Sequence, residues 1–385
     1  MSTLIVEICK IDSVTKHGNA DNLSLATIGG WQSIIKKDSL KAGDLVVYIP
    51  PDSILEEAFS IRIGVQGYLH KQRVRSIRLR GEYSHGLVVP VADLPELKKC
   101  KEGDNVADIL KVKKYEPQVN SNSSIHSNPS RMLKELVSFP KYTDIENYRH
   151  FTDLFLDQEE VVITEKIHGT CSRVGLVNGK WECGSHNVRR LVEPSFFGEL
   201  YWYIKKWLHW CMTAKTLIKF AFKYTKQQNN IYRMPLDIPG VKQMLTYLAQ
   251  SRHSKSVVLY GEIYGDVQDL KYGRKSGEYD YVAFDIKVNG TYLDYVKFLE
   301  ACDKFNIKQV PLITNELWTN IKDKLKTYAL GDTLIKDRVG NAVKQIREGV
   351  VIKPIIERNN SKVGRVILKY VSDEYLARKE GTEFH

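Results

Sequence analysis

A short apolar run ends in a lysine at Val161-Val162-Ile163-Thr164-Glu165-Lys166, and the chain then turns through Ile167-His168-Gly169-Thr170. A lysine at a strand end is held rigidly. Burial or a neighbouring cation lowers its pKa and frees the amine as a nucleophile. Taken alone, a lysine three residues before a glycine is an ordinary surface lysine ahead of a turn. Downstream segments of the chain give it company. Tyr260-Gly261-Glu262-Ile263-Tyr264-Gly265 sets a carboxylate at the end of an apolar run, with glycines that let the backbone approach a ligand closely. Tyr281-Val282-Ala283-Phe284-Asp285-Ile286 carries an aromatic ring able to stack on a base. Arg347-Glu348-Gly349-Val350-Val351-Ile352-Lys353 places a second carboxylate before a buried strand, and Arg365-Val366-Ile367-Leu368-Lys369 ends in another lysine. A nucleophile, carboxylates for ribose and metal, a stacking ring and cations for a phosphate are the parts that nucleotidyl transfer requires.

The series E-K-I-H-G-T, Y-G-E, F-D-I, E-G-V-V-I-K and a final strand lysine, over Val161 to Lys369, resembles the covalent nucleotidyltransferase superfamily in its RNA ligase branch. Phe139-Pro140-Lys141-Tyr142-Thr143 and Asn147-Tyr148 are similar to the lead-in of the RNA ligases that carry an N-terminal OB domain, the Naegleria type, whose core is like that of phage RNA ligase 2. The resemblance implies roles. Lys166 would form a phosphoramide with AMP, and Glu165 would help shape the nucleotide pocket. Glu262 would contact the ribose, Phe284 would stack on adenine, Glu348 would bind or position a metal, and Lys369 would hold the α-phosphate. One basic residue of Gly184-Ser185-His186-Asn187-Val188-Arg189-Arg190 would reach the phosphate or the RNA end, with Ser185, His186, Arg189 and Arg190 all candidates.

The chain departs from the pattern in two places. Cys171 stands where many relatives have Asn. Lys369-Tyr370-Val371 keeps one lysine of the usual K-x-K, so Lys353 or Lys362 is expected to compensate at the nucleotide. The implied reaction is ATP-dependent joining of 3′-hydroxyl and 5′-phosphate RNA ends, through lysyl-AMP and a 5′-adenylated end, with magnesium or manganese and a place in RNA repair. A capping guanylyltransferase or DNA ligase shares the core, but those usually carry a barrel after the last motif, and here only Tyr370–His385 follows Lys369. A nucleic-acid binder with a silent core is the alternative from another class.

The elements that must position these residues are legible in outline. The first hundred or so residues are strand-rich, with runs at Leu4–Cys9, Leu25–Ile28, Leu45–Ile49, Arg73–Arg80 and Leu87–Val89 between Gly and Pro turns. That spacing predicts a small OB-like barrel over 1–115. In Arg73–Arg80 the basic residues change phase near Ser76, which implies a bulge, with Arg73, Arg75, Arg78 and Arg80 lining one outer surface toward RNA. Residues 116–131 are rich in Ser and Asn and read as a linker. From 132 to 385 the pattern is mixed α/β, giving an α+β chain overall. Strands are expected at Glu160–Thr164, Val257–Tyr260, Tyr281–Ile286, Gly349–Ile352 and Val366–Leu368, and helices at Val241–Gln250 and Tyr295–Phe305. Phe196–Lys226 mixes three tryptophans with lysines, and its charges interrupt every stretch before the ~18 apolar residues of a membrane span. It is expected to pack as a helix on the core, with RNA contact as the first alternative and membrane-surface docking as the last.

The net charge of +11 suggests a polyanionic partner. Six cysteines without a C-x-x-C pair argue against a zinc ribbon and for a reducing compartment. The N-terminus reads as a first strand rather than a signal peptide. An intracellular, cytoplasmic or nuclear monomer acting on RNA ends with ATP is the expectation.

Overall fold

The computed structural model describes residues 3–115, 132–192 and 230–378. The expected linker and the aromatic, basic Phe196–Lys226 segment lie outside the described residues. The N-terminal part is built from short antiparallel strands. Glu7–Lys10, Leu45–Ile49 and Leu87–Pro90 form one three-stranded sheet. Ser13–Lys16, Leu23–Ile28 and Trp31–Lys36 form another. In Leu23–Ile28 every second residue is buried, the signature of a half-buried strand. A hairpin, Ile77–Leu79 with Glu82–Ser84, projects beside the second sheet.

The expected strand Arg73–Arg80 is thus shorter than its composition suggests. Arg73 and Val74 instead fold inward. The Val74 backbone exchanges hydrogen bonds with Asp52 and Ser53, and the Arg73 side chain is 6% exposed. It pairs with the Asp52 carboxylate and lies 3.6 Å over the Tyr115 ring. A buried guanidinium is tolerated only with such a partner, so Arg73 leaves the outer surface expected for it.

The second part holds two sheets. The larger has seven strands, in the order Met132–Leu133, Arg189–Arg190, Lys180–Ser185, Thr170–Val177, Ser256–Gly265, Tyr279–Val288 and Thr291–Tyr292. The smaller runs Glu146–Asn147, Leu368–Val371, Gly349–Pro354, Glu160–Lys166 and Leu312–Leu317. Its last described strand begins at Leu368 rather than at Val366 as expected. Helices cover the outer face of the larger sheet. Pro239–Ser251 starts with Pro at its first position, where no N–H partner is lost, and buries Val241, Met244, Leu245 and Leu248 at helical spacing. Tyr295–Lys304 buries Tyr295, Phe298, Ala301 and Cys302 in the same cluster. Short helices Trp318–Ile321 and Leu325–Ala329 seal the outer face of the smaller sheet.

Two apolar clusters matter for the site. Phe139, Tyr142, Val258, Tyr260 and Ile367, with Cys171, Phe284 and Val351 at the margin, fill the space where the two sheets face each other. A second cluster joins the N-terminal strands to the rest of the chain. Trp31, Val46 and Tyr48 share it with Ile167, Tyr272, Val371, Tyr375 and Leu376.

Candidate active site

Lys166 is the last residue of Glu160–Lys166, which lies between Leu312–Leu317 and Gly349–Pro354. Register sets Lys166 opposite Gly349. The residue before that glycine, Glu348, therefore sits beside the lysine: Lys166 Nζ is 2.5 Å from Glu348 Oε1. Gly349 is required there, because a Cβ would meet the Tyr370 carbonyl oxygen at 2.3 Å. That close approach brings in Leu368–Val371, with Lys369 opposite Val351 and Asn147.

Glu348 is almost wholly buried, at 0% exposure. Burial alone would raise its pKa, but the Lys166 ammonium and His168 hold it down to about 2. Its second oxygen, Oε2, is buried without a hydrogen-bond partner, and His168 Nδ1 is 3.6 Å away. Burial, with Lys166 adding to it, lowers the Lys369 ammonium to about 8. Glu262, opposite Cys171 in the larger sheet, is raised to about 8 by burial, against the pull of Lys166. Gly169 leaves room for that strand, since a Cβ would lie 2.2 Å from the Ile263 carbonyl. Phe284 is half-buried and edge-on to Tyr142, with ring centroids 4.7 Å apart. Lys166, Glu262, Glu348 and Lys369, expected from separate stretches of chain, thus come together, with Phe284 on the strand beside Glu262.

Other expected residues are committed elsewhere. Strand alternation turns Glu165 to the face opposite Lys166. Its buried carboxylate accepts from the Thr333 hydroxyl at 2.5 Å and the Leu334 N–H at 2.7 Å, so it anchors the loop before Glu348. The Lys353 ammonium is buried against Asp285, which also takes Arg365 at 2.9 Å and the Tyr142 hydroxyl. Lys362 pairs with Asp153 at 2.7 Å on the surface. In the 185–190 stretch, the Ser185 hydroxyl accepts from the Val188 N–H at 3.1 Å, and His186 lies 3.3 Å from Asp144. Arg189 is forked onto Glu182 at 2.6 and 2.7 Å. Arg190 is the basic residue that leans toward the nucleophile turn. Its guanidinium lies 5.2 Å over the Tyr232 ring, whose hydroxyl is 3.1 Å from that of Thr170.

Sequence reasoning passed over His168 as a site residue. Its Nε2 is 2.7 Å from Asp269, its Nδ1 2.9 Å from the Tyr375 hydroxyl, and its N–H donates to Tyr272 at 2.6 Å. Burial alone would lower its pKa, but Asp269 and Glu348 raise it. The motif includes His168, but its partners lie on distant segments that no local pattern ties to it. Arg149 was missed as well. It is 4% exposed, lies between the rings of Trp31 at 4.6 Å and Tyr370 at 4.5 Å, and donates to Asp373 at 2.5 Å. Asp373 also takes His85 of the N-terminal part at 3.0 Å. Between this joint and Lys369 lies a cavity lined by Pro50, Asp52 and Lys114 on one side and by Asn147, His150 and Lys369 on the other.

Among the described residues no three His, Cys, Asp or Glu side chains group as a metal-binding set. None of the described helices is long and apolar enough to cross a membrane.

An OB-fold domain model matches residues 5–91, which agrees with the barrel expected from the strand spacing. No curated protein matches the chain. Among solved structures, Naegleria gruberi RNA ligase with pyrophosphate superposes with a TM-score of 0.70 at 22% identity, covering 97% of this chain and 98% of that one. A point variant of the same ligase with ATP and manganese gives 0.71 over the same shares at 22% identity. A second variant, with AMP and manganese, gives 0.69, again at 22% identity over 97% and 98%. At that identity the likeness speaks for the fold: a barrel followed by a two-sheet core. The RNA ligase family model matches residues 159–371, from the strand of Lys166 to the strand of Lys369, and on that match over more than half its length the chain belongs to the RNA ligase family.

Proposed function

We propose that the chain is an ATP-dependent ligase that joins a 3′-hydroxyl RNA end to a 5′-phosphate RNA end through a lysyl-AMP on Lys166. The observation that carries this reading is the Lys166–Glu348 contact of 2.5 Å, with Lys369 and Glu262 close enough to shift with it. In the first step the Lys166 amine attacks the α-phosphorus of ATP. An N–P bond forms, the bond to the bridging oxygen breaks, and pyrophosphate leaves. A 5′-phosphate oxygen then attacks the AMP phosphorus and the N–P bond breaks. Last, a 3′-hydroxyl oxygen attacks the 5′-phosphorus, the phosphodiester forms and AMP departs. Each step is an in-line displacement, so this chain's contribution is positioning and charge neutralisation. Lys369 offers its ammonium to the α-phosphate, Glu262 holds the ribose, and Phe284 offers its ring to adenine.

The site fits a divalent cation. Glu348 Oε2 is a buried carboxylate oxygen without a hydrogen-bond partner, and such an oxygen is costly unless something takes it. Magnesium or manganese would be held by Glu348, with phosphate oxygens and water completing its shell, as hard cations at phosphate sites usually are. When bound, it supplies neutralisation of phosphate charge.

The supporting experiment is a denaturing gel of protein incubated with α-labelled ATP or α-labelled GTP and magnesium or manganese. Label retained from ATP and lost in Lys166→Ala is the expected result. Label from GTP would move the reading to capping, and label persisting in Lys166→Ala would refute the assignment of the nucleophile.

A further inference from the structure

We infer that Tyr375 is a positioning residue: its hydroxyl holds the His168 ring off the second oxygen of Glu348 and so keeps that oxygen open for a divalent cation. This rests on the cation proposed at Glu348 and adds a side chain, outside the motifs, that readies the carboxylate for it. Glu348 Oε1 lies against Lys166, and Oε2 is buried without a hydrogen-bond partner. His168 Nδ1 is 3.6 Å from Oε2, beyond hydrogen-bond reach, and 2.9 Å from the Tyr375 hydroxyl. A phenol hydroxyl both donates and accepts, so this bond forms whether or not Nδ1 carries a proton. The ring is thereby committed to Tyr375, and Oε2 stays unspent.

The rest of the ring's surroundings leave it little freedom. Its Nε2 is 2.7 Å from Asp269, which Arg378 holds in turn at 2.6 Å. The backbone of the turn is pinned by the same loop. The His168 N–H donates to the Tyr272 hydroxyl at 2.6 Å, and the Gly169 carbonyl accepts from the Gln268 amide. With the turn and Nε2 fixed, what is left is a small tilt of the ring, which moves Nδ1 between two oxygens: the Tyr375 hydroxyl and Glu348 Oε2.

Tyr375 is placed relative to Glu348 through the backbone. It lies on the helix Asp373–Leu376, directly after the strand of Lys369. Ser372 caps that helix by accepting from the Tyr375 N–H at 3.1 Å, and its hydroxyl donates to the Arg347 carbonyl at 3.1 Å. The Ser372 N–H donates to the Glu348 carbonyl at 2.9 Å. The helix is thus tied to the very residue that Tyr375 serves. The Tyr375 ring is 2% exposed, with the Arg378 guanidinium 3.9 Å over it. Packing alone would be met by phenylalanine; the hydroxyl is the part that meets the nucleophile turn.

The test titrates manganese into the nucleotide-free whole protein and follows the EPR signal of the free ion. The parent should take up an ion that Glu348→Gln loses. Tyr375→Phe removes one oxygen and keeps the ring. His168 Nδ1 then turns to Oε2, the cation must displace it, and the manganese dissociation constant should rise roughly tenfold, the worth of a hydrogen bond to a charged group. In a His168→Ala background the same substitution should change the constant by less than about twofold, because no ring is left to hold. Asp269→Ala, at an exposed carboxylate, loosens the other end of the ring and should also weaken uptake, which keeps the test open if Tyr375→Phe unfolds. In label transfer from ATP, the magnesium needed for half-maximal labelling of Lys166 should rise in parallel with the manganese constant, while the rate at saturating magnesium falls by less than about threefold. An unchanged constant in Tyr375→Phe, an equal loss with His168→Ala already in place, or uptake that survives Glu348→Gln would overturn the inference. Failure of the ligase reading shows separately, as absence of label from ATP in a parent that still binds manganese.

Discussion

Asp373→Ala tests whether the barrel and the catalytic sheets are held as one body. The carboxylate, 5% exposed, takes Arg149 at 2.5 Å, His85 at 3.0 Å and Lys326 at 3.2 Å. His85 and Arg149 hold its pKa well below the usual carboxylate range, although burial opposes this. Lys326 is 59% exposed and returns to water at little cost. Arg149 cannot, because it is sealed between Trp31 and Tyr370. Leaving a buried charge without its partner costs about 3–5 kcal/mol. Arg149 keeps both rings and the Val371 carbonyl at 3.2 Å, so the lower end, about 3 kcal/mol, applies. For a chain of this size that is a fall in Tm of roughly 4 °C. Burial lowers the His85 pKa, so near pH 7 the ring is neutral. It donates from Nε2 to Asp373 while Nδ1 accepts from Ser76. A double-mutant cycle of Asp373→Ala with His85→Ala should therefore show coupling of about 1–2 kcal/mol. A Tm change within 1 °C, or strictly additive losses, would refute the reasoning.

Three further outcomes are expected. Asp285→Asn strips the charge that Lys353 and Arg365 share in a buried site, so stability measured by urea unfolding should drop by about 3 kcal/mol or more; a loss under 1 kcal/mol would show that the pair is dispensable. Gly349→Ala sets a Cβ 2.3 Å from the Tyr370 carbonyl, forcing apart the strands that carry Glu348 and Lys369; lysyl-AMP formation should slow at least tenfold, and wild-type rates would count against the required close approach. For pH, burial and the neighbouring Arg149 lower His150 from 6.5 to about 4. The unfolded chain takes up a proton in that window and the folded chain does not, so stability falls as pH drops from 6.5 toward 4. The full effect is about 3 kcal/mol at ~1.4 kcal/mol per unit, and His150→Asn should flatten that part of a Tm-against-pH curve.

The grouping of the candidate site residues was legible because they sit at strand ends, where an apolar run stops at a charge. Lys166, Glu262, Glu348 and Lys369 all announce themselves that way, and each lies within a residue or two of a described strand end or bulge. What could not be read was which charge meets which. Lys353 has the same local pattern as Lys369, yet Asp285, 68 residues away, engages it. Arg73 shares a basic run with Arg75, Arg78 and Arg80, yet the Tyr115 ring and Asp52 draw it inward. The joint around Arg149 depends on Asp373, 224 residues distant. Periodicity reports which face a side chain takes, and it holds no information about what a remote segment brings to that face.

The same geometry explains why the lysine, the carboxylate and the second lysine are spread over three strands rather than one loop. Neighbouring strands lie ~4.8 Å apart, so a side chain at the end of one reaches the next without a long, mobile stem. Glu348 is the hinge of the arrangement, held ionised at about 2 between Lys166 and His168. Burial raises Glu262 to about 8 and, with Lys166 adding to it, lowers Lys369 to about 8. Glu348 thus lies against Lys166, with Lys369 on the neighbouring strand. On the proposed reading, strands that fix these charges in advance would leave little reorganisation for the moment of reaction.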